Sequence, residues 1–428
     1  MGRTRRSMQM TLGAAALSLT SLVGAAQHRD ERIYRAVESD RAGALALLKE
    51  IVDIDSGTGD VEGGLRVESV LTPRLEALGA RVDHVAPEVP GLPDSLVAVW
   101  RGTGRASILI IAHIDTVFGP GTAAARPFSI DGGRAHGPGV GDEKAGVIAA
   151  MTALQILHDV GFRNYASITL LLDNSEERGS PGSTQLIRRL ARQSDAEFNM
   201  EPGDPPDALT VWRKGSADIR IQVKGRAAHA GMAPQDGRNA AAELIHQLST
   251  LEGAFPHSGS GTTVNLTLLK AGERSNIIPD SAEATLNVRY RDVKDLESVI
   301  ARITDSAGVT VVPDTAVTVL RNSAFPPLTE NAAIDDLAAR ARAIYSEIGR
   351  TVTLSGNGGA SESALAMSEG TPALDGLGFV GGDFHTDHEW IDLDSVSPRL
   401  YLFTRLLMQT CASPPAPSHA LVEDLTRP

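Results

Sequence analysis

The residues of this chain whose types invite chemistry are scattered imidazoles and acids: His113, Asp115, Asp142, Glu176, Glu177, Glu201 and His385. Imidazole nitrogen and carboxylate oxygen together suit Zn2+ and similar divalent cations. One carboxylate can bridge two such ions about 3.5–4 Å apart, and a water between them loses its proton near neutral pH. That water still needs a general base, and the set has a carboxylate to spare. Taken singly, the residues say little. A histidine at a strand end, such as His113, is more often structural. Asp142-Glu143-Lys144 follows the Gly- and Pro-rich stretch 136–141 and opens a helical pattern, where an acidic cap is ordinary. Glu176-Glu177 alone reads as a solvated pair, and Glu201 and His385 do not stand out. What joins them is placement, mostly just after apolar runs.

The elements that must position them alternate between strand and helix. Ile108 to Ala112 is an unbroken apolar run, the signature of a buried parallel strand, with His113 and Asp115 at its C-terminal end. Residues two apart on a strand share a face, so one side chain can touch a metal while the other stands beside it. A second buried strand over 166–172 ends just before Glu176-Glu177. Neighbours in sequence point different ways, so one of that pair can bind metal while the other faces a reacting water. Residues 80–85 and 95–100 read as strands, and 41–54, 66–78 and 144–160 as helices. This alternation implies a parallel sheet, and ligands bind at the carboxyl ends of such strands.

From residue 216 the texture changes. Strands with apolar–polar alternation (217–223, 262–269, 282–289, 315–320) and helices (238–251, 296–306) follow in the order β-α-β-β-α-β, a ferredoxin-like split unit with one open sheet face. The first pattern then resumes with a helix over 332–348, strands near Val352 and Ala373, and a helix over 398–408. The expected fold class is therefore α/β, a mostly parallel sheet flanked by helices, with an inserted ferredoxin-like α+β domain. The expected segments are a signal peptide (1–26), a catalytic domain in two parts (30–215 and 324–411), an inserted lid and dimerisation domain (216–323) and a disordered tail (412–428).

Composition sets limits on function. At 428 residues the chain exceeds one ordinary core, and 42% hydrophobic with 22% charged residues is a soluble globular balance. Forty Lys and Arg against 53 Asp and Glu leave a formal charge of −13, which argues against nucleic acid or an anionic membrane as partner. Residues 2–6 are basic, 10–23 apolar and 24–26 small, the pattern of a cleaved signal peptide too short to span a bilayer. Arg5-Arg6 also permits twin-arginine export. The expected location is periplasmic or secreted, with no membrane attachment after cleavage. The lone Cys411 excludes an intramolecular disulfide and leaves any metal to histidines and carboxylates.

Together, His113-Ile114-Asp115, Asp142-Glu143-Lys144, Glu176-Glu177, Glu201 and His385 resemble the five signature blocks of the di-zinc peptidase family. That family includes glutamate carboxypeptidase, acetylornithine deacetylase and succinyl-diaminopimelate desuccinylase; the folate-cleaving glutamate carboxypeptidase type is most similar. The likeness runs in order over about residues 40–410. It implies two Zn2+ ions, with Co2+ or Mn2+ able to replace them. His113 and Glu201 would hold one ion, Glu177 and His385 the other, and Asp142 would bridge them, commonly with a cis peptide to the next residue. Asp115 would orient His113 from behind, as partners of metal-bound imidazoles do. Glu176 would be the general base, deprotonating the bridging water and later protonating the leaving nitrogen.

The resemblance extends to the inserted segment. His229, in the block 225–231, would reach the active site of a partner subunit and steady the oxyanion. Asn276 and Arg289 would hold a substrate carboxylate, the arginine through its fork. Gly359 falls where the family carries a Gly-Gly-Thr-Asp block near the substrate. A homodimer through the inserted domain is implied in the same way. Glu362 and Ser361 depart from that block, Asn174-Ser175 and Glu143 from others; all stand beside the metal set and bear on specificity. The expected function is a zinc-dependent exopeptidase releasing a C-terminal amino acid, glutamate favoured, from N-acyl amino acids or short peptides with a free carboxylate. The alternatives are an N-acyl-amino-acid deacylase and, more remotely, a non-catalytic ligand-binding homologue, which would show a broken metal set or a missing base.

Overall fold

The computed structural model describes residues 28–251 and 261–416, with Gly2. The expected signal peptide and most of the expected tail lie outside the described residues. The central sheet has six strands in the order Arg81–Val85, Ser95–Arg101, Ser167–Asp173, Ser107–His113, Ala196–Asn199, Ala373–Leu374. The last four run parallel; the first two join antiparallel. The Ser107–His113 strand sits between two parallel neighbours, which is why it reads as continuous hydrophobe rather than alternation.

Both faces of that strand are covered. Ile108, Ile110 and Ala112 belong to the large core shared with helices Glu31–Val52, Ala145–Asp159 and Val396–Ala412. Leu109 and Ile111 point the other way, into a smaller cluster with Leu186, Ile187 and Leu365. All five are at most 1% exposed, and each large side chain so buried contributes about 1.5–3 kcal/mol. The first helix starts at Glu31, ten residues before the periodicity suggests, because Asp30 caps it by accepting from the amides of Arg32 and Ile33.

Register carries this packing to the site. His113 pairs with Asp173, and Ile111 with Asn199. The three strands therefore end at one sheet edge, where the chain delivers His113 and Asp115, then Glu176-Glu177, then Glu201. Two smaller sheets, not evident in the sequence, complete the frame. Ala208–Arg213 pairs in parallel with Thr353–Asn357. Gly381–Gly382, Trp390–Asp392, Arg134–His136 and Ser129–Asp131 form an antiparallel sheet. Trp390 lies opposite His136, so the loop bearing His385 is brought beside the glycine-rich loop leading to Asp142.

Between these parts lies a separate antiparallel sheet in the order Thr263–Ala271, Ser281–Tyr290, Gly215–Lys224, Ala316–Phe325. Helices Ala240–Leu251 and Val293–Ala307 cover one face through Ile219, Ile221, Val223, Val288 and Leu296. The strand Thr263–Ala271 is an edge. Leu266, Leu268 and Leu269 on it are 48%, 66% and 57% exposed.

Candidate metal centre and active-site cleft

The loop after His136 turns sharply into the helix Ala145–Asp159. Gly139 has φ +69, and a Cβ there would meet the Thr116 side chain at 2.4 Å, so the turn needs glycine. Glu389 fastens this loop. Its carboxylate accepts from the amides of Gly141 (2.8 Å), Asp142 (2.9 Å) and Gly139 (3.2 Å), and it is 1% exposed. The Asp142–Glu143 peptide is cis. The buried Lys144 donates to the carbonyl of Ile54 at 2.7 Å, and burial pushes its ammonium down to about 7.

Held this way, Asp142 offers one oxygen to each of two histidines. Oδ1 lies 3.0 Å from His113 Nε2, and Oδ2 lies 3.1 Å from His385 Nε2. His385 Nε2 is also 3.1 Å from Glu177 Oε2, and His113 Nε2 is 3.9 Å from Glu201 Oε1. Two triplets result, His113–Asp142–Glu201 and Asp142–Glu177–His385, each with its donor atoms within 4.8 Å of one another. His385 has φ +63, a conformation costing a non-glycine residue on the order of 1 kcal/mol and concentrated at functional sites.

Asp115 stands behind both the histidine and the glutamate pair. Its carboxylate lies 3.4 Å from His113 Nδ1, and it accepts from the amides of Glu176 (3.1 Å) and Glu177 (3.4 Å) and from the Thr58 hydroxyl (2.6 Å). Glu176 belongs to neither triplet, yet lines the same cavity of about 530 Å3.

The electrostatics are those of a site short of positive charge. Burial pushes the carboxyl of Glu176 well up, and that of Glu201 to about 8 despite the neighbouring Arg213. Hydrogen bonds to Asp142 and Glu177 raise the His385 imidazole to about 11. His113 is likewise held well above its ordinary value: burial opposes the charge, but bonds to Asp115 and Asp142 prevail. Protons thus stand where cations would. Glu177 Oε1 is buried with no hydrogen-bond partner, an arrangement that a metal ion would satisfy. The donor set and the orphaned oxygen fit a pair of divalent cations sharing Asp142.

Comparison with known proteins gives the frame for this geometry. The profile of peptidase family M20/M25/M40 matches residues 109–409. Carboxypeptidase G2 of Pseudomonas sp. (strain RS-16) is 32% identical over 412 residues, spanning 94% of this chain and 98% of that protein. Succinyl-diaminopimelate desuccinylase of Methylobacterium sp. (strain 4-46) is 28% identical over 396 residues, spanning 87% and 98%. The chain belongs to peptidase family M20/M25/M40. It is a hydrolase of the metallocarboxypeptidase kind. A solved metallo-carboxypeptidase of M20 from Sulfolobus solfataricus shares the fold at a TM-score of 0.68 and 17% identity, covering 86% of this chain and 99% of that one. Human carnosine dipeptidase 1 does so at 0.68 and 15%, covering 89% and 99%.

Within this M20 chain the other expected residues divide. Arg289 and Gly359 line the cavity with Asp142, Glu176, Glu177, Glu201 and His385. Arg289 donates to Asn287 Oδ1 at 3.0 Å, and Asn287 donates to Asp218 at 2.8 Å, a polar ladder on the open face of the inserted sheet. His229 and Asn276 do not line it. His229 lies on the ribbon Ala228–His229 with Ile277–Ile278 and Asn276 in the turn just before it; both are exposed, and among the described residues His229 Nδ1 accepts only from the amides of Gly231 and Met232 of its own turn.

Two residues of the site escape sequence reasoning. Arg213, 5% exposed, grips Asp375 through two bonds (2.7 and 2.9 Å) and reaches Glu201 Oε2 at 3.4 Å. Glu389 is the other. Neither follows an apolar run ending in a recognisable block. The one available signal was the rarity of an uncompensated charge on a strand as apolar as 208–212.

Proposed function

We propose that this chain is a zinc-dependent exopeptidase that hydrolyses the amide bond to a C-terminal amino acid, glutamate favoured, in N-acyl amino acids or short peptides. One observation carries the reading: two ligand triplets share Asp142, while Glu176, in the same cavity, belongs to neither. His113, Asp142 and Glu201 would hold one Zn2+, and Asp142, Glu177 and His385 the other; Co2+ or Mn2+ would suit the same donors. Bound there, such ions supply Lewis acidity to a carbonyl oxygen and acidify water. Glu176 then takes a proton from the attacking water and passes it to the leaving nitrogen. Its place in the cavity, outside both triplets, favours this role. Arg289 makes no ion pair among the described residues and presents its fork to the cavity, suited to a substrate carboxylate.

The inserted domain supplies the rest of this reading. His229 and Asn276 are exposed and away from their own cleft, and the neighbouring edge strand bares three leucines. A second copy paired through this domain would bring His229 to the partner's cleft as an oxyanion donor. Export follows from the N-terminal pattern of basic, apolar and small residues, and among the described residues no helix is long and apolar enough to cross a membrane.

A second reading, N-acyl-amino-acid deacylase, is favoured by the desuccinylase relatives. In an N-acyl amino acid both activities break the same bond; they differ in which half is selected. Hydrolysis of a panel with zinc restored separates them: acyl-glutamates and peptides of varied acyl group, against acetyl and long-chain acyl derivatives of varied amino acid. Selectivity for glutamate across acyl groups supports the exopeptidase. Selectivity for one acyl group across amino acids would replace it with the deacylase.

A further inference from the structure

The strand Gly215–Lys224 of the inserted sheet alternates strictly. Ala217, Ile219 and Ile221 pack into the core under the helices, so Ser216 and Asp218 face the other way. Together with Asn287, Arg289 and Asn322 they line the cavity that Asp142, Glu177 and His385 also line. Register arranges them in rungs. Asn287 and Asn322 lie opposite Asp218 on either side, and Arg289 lies opposite Ser216. A half-buried carboxylate thus stands at the centre of one rung, with the arginine on the next.

The hydrogen bonds between these rungs run one way. Asp218 makes no ion pair among the described residues, and its side-chain partner is Asn287, whose Nδ2 donates to Oδ1 at 2.8 Å. Asn287 Oδ1 in turn accepts from Arg289 Nε at 3.0 Å. The acid dictates this order. An ionised carboxylate can only accept, so it draws the NH2 end of the Asn287 amide and leaves the oxygen for the arginine. A partner able to donate as well would let that amide turn and set its NH2 against the arginine N–H. With Nε engaged, Nη1 and Nη2 of Arg289 make no hydrogen bond among the described residues. Such a pair of donors can meet both oxygens of one carboxylate.

We propose that Asp218 is a positioning residue for substrate recognition: through Asn287 it holds the Arg289 guanidinium so that Nη1 and Nη2 take the free carboxylate of the substrate. The inference rests on the proposed assignment of Arg289 to that carboxylate. A long side chain that is free to rotate gives up rotamer freedom when it binds, and one already held gives up less. Asp218 therefore lowers the cost of binding without touching the substrate. Its charge also acts from the adjacent rung, repelling the same carboxylate. Removing that charge separates the two effects, because they move KM in opposite directions.

The test measures kcat and KM for N-acetyl- and N-benzoyl-glutamate with zinc restored, in Asp218→Asn, Arg289→Ala and the double variant. Asp218→Asn, nearly isosteric, should raise KM about fivefold with kcat little changed, the pattern of lost binding rather than lost chemistry. Arg289→Ala should lower kcat/KM about a hundredfold. Adding Asp218→Asn to it should cost nothing more, because the two residues act in one chain. If Asp218→Asn fails to fold, Asp218→Ser serves, with the same expectation. A KM unchanged or lowered at position 218, or raised equally in the Arg289→Ala background, overturns the positioning role and leaves the functional reading standing. Full activity of Arg289→Ala would take the carboxylate away from Arg289, and the positioning role with it. Hydrolysis of neither substrate by the wild type overturns the functional reading and this inference together.

Discussion

His113 is fully buried, its amide bonded to Glu143, one ring nitrogen 2.9 Å from the Asp115 carbonyl and the other 3.0 Å from Asp142. His229 is exposed and touches two amides of its own turn. These two imidazoles mark two ways of placing a functional group. At the sheet edge, parallel register and a buried polar network fix each side chain before any ligand arrives. In the inserted domain, His229 sits exposed on a turn, and only the proposed pairing of two copies would give it a role in a cleft. The difference separates what one chain builds alone from what a second copy would have to bring.

The largest effect expected is on removal of metal. Chelation should abolish activity and lower Tm, and zinc should restore both, since a ligand bound only by the folded state stabilises it by mass action. Zinc uptake should also release protons at pH 7, because His113 and His385 hold theirs in the metal-free chain, and Glu201 sits near 8. Affinity should therefore rise with pH, and calorimetry in buffers of different ionisation enthalpy checks it. The sign for the metal-free fold is opposite. The stabilisation from the His385 contacts is complete below about pH 6.5 and is lost as pH climbs through about 11. An apparent zinc affinity independent of pH would contradict the proton inventory.

Next, Glu176→Gln should cut kcat by about a thousandfold while leaving metal content unchanged. Unchanged turnover would remove Glu176 from the base role. His229→Ala should cost about a hundredfold in kcat, again without metal loss. Mixing it with Glu176→Gln chains should restore part of the activity, because a mixed dimer would contain one intact cleft. Failure to complement would place His229 outside the partner's chemistry and erase the contrast between the two regions.

The smallest effect expected is that of Glu389→Gln. An amide oxygen can still accept from the loop but without charge assistance, so a loss of about 1–2 kcal/mol in unfolding free energy is expected, with weaker zinc binding as the Asp142 loop loosens. Thermal unfolding with and without zinc separates these. A change in stability with no change in zinc affinity would make Glu389 a brace for the fold only.

Much of this architecture was legible because its causes are local. The run Ile108–Ala112 gives a buried strand, and the five blocks of the family resemblance name His113, Asp142, Glu176, Glu177, Glu201 and His385. The illegible parts depend on distant partners. Trp212-Arg213 on its strand gives no sign that Asp375, 162 residues away, will clamp the arginine beside Glu201. Glu389, in an acidic, His-rich stretch, looks solvated until the small sheet carries it to amides 247–250 residues earlier. The short strands Gly381–Gly382 and Arg134–His136 lack the length for any periodicity to register. The helix Thr184–Ala191 starts without a side-chain cap and keeps only Leu186, Ile187 and Ala191 buried, too brief a stripe to read.

The shared carboxylate of Asp142 has a consequence for occupancy. Two triplets with a common member cannot fill independently. A cation drawing on Oδ1 makes Oδ2 a poorer donor and adds repulsion toward a second cation nearby. If two cations bind, dissociation constants from titration would describe the pair, the first tighter than the second, rather than either triplet. In a metal-poor medium such a chain would exist in part as a half-filled population, and its activity would report the scarcity of the second ion.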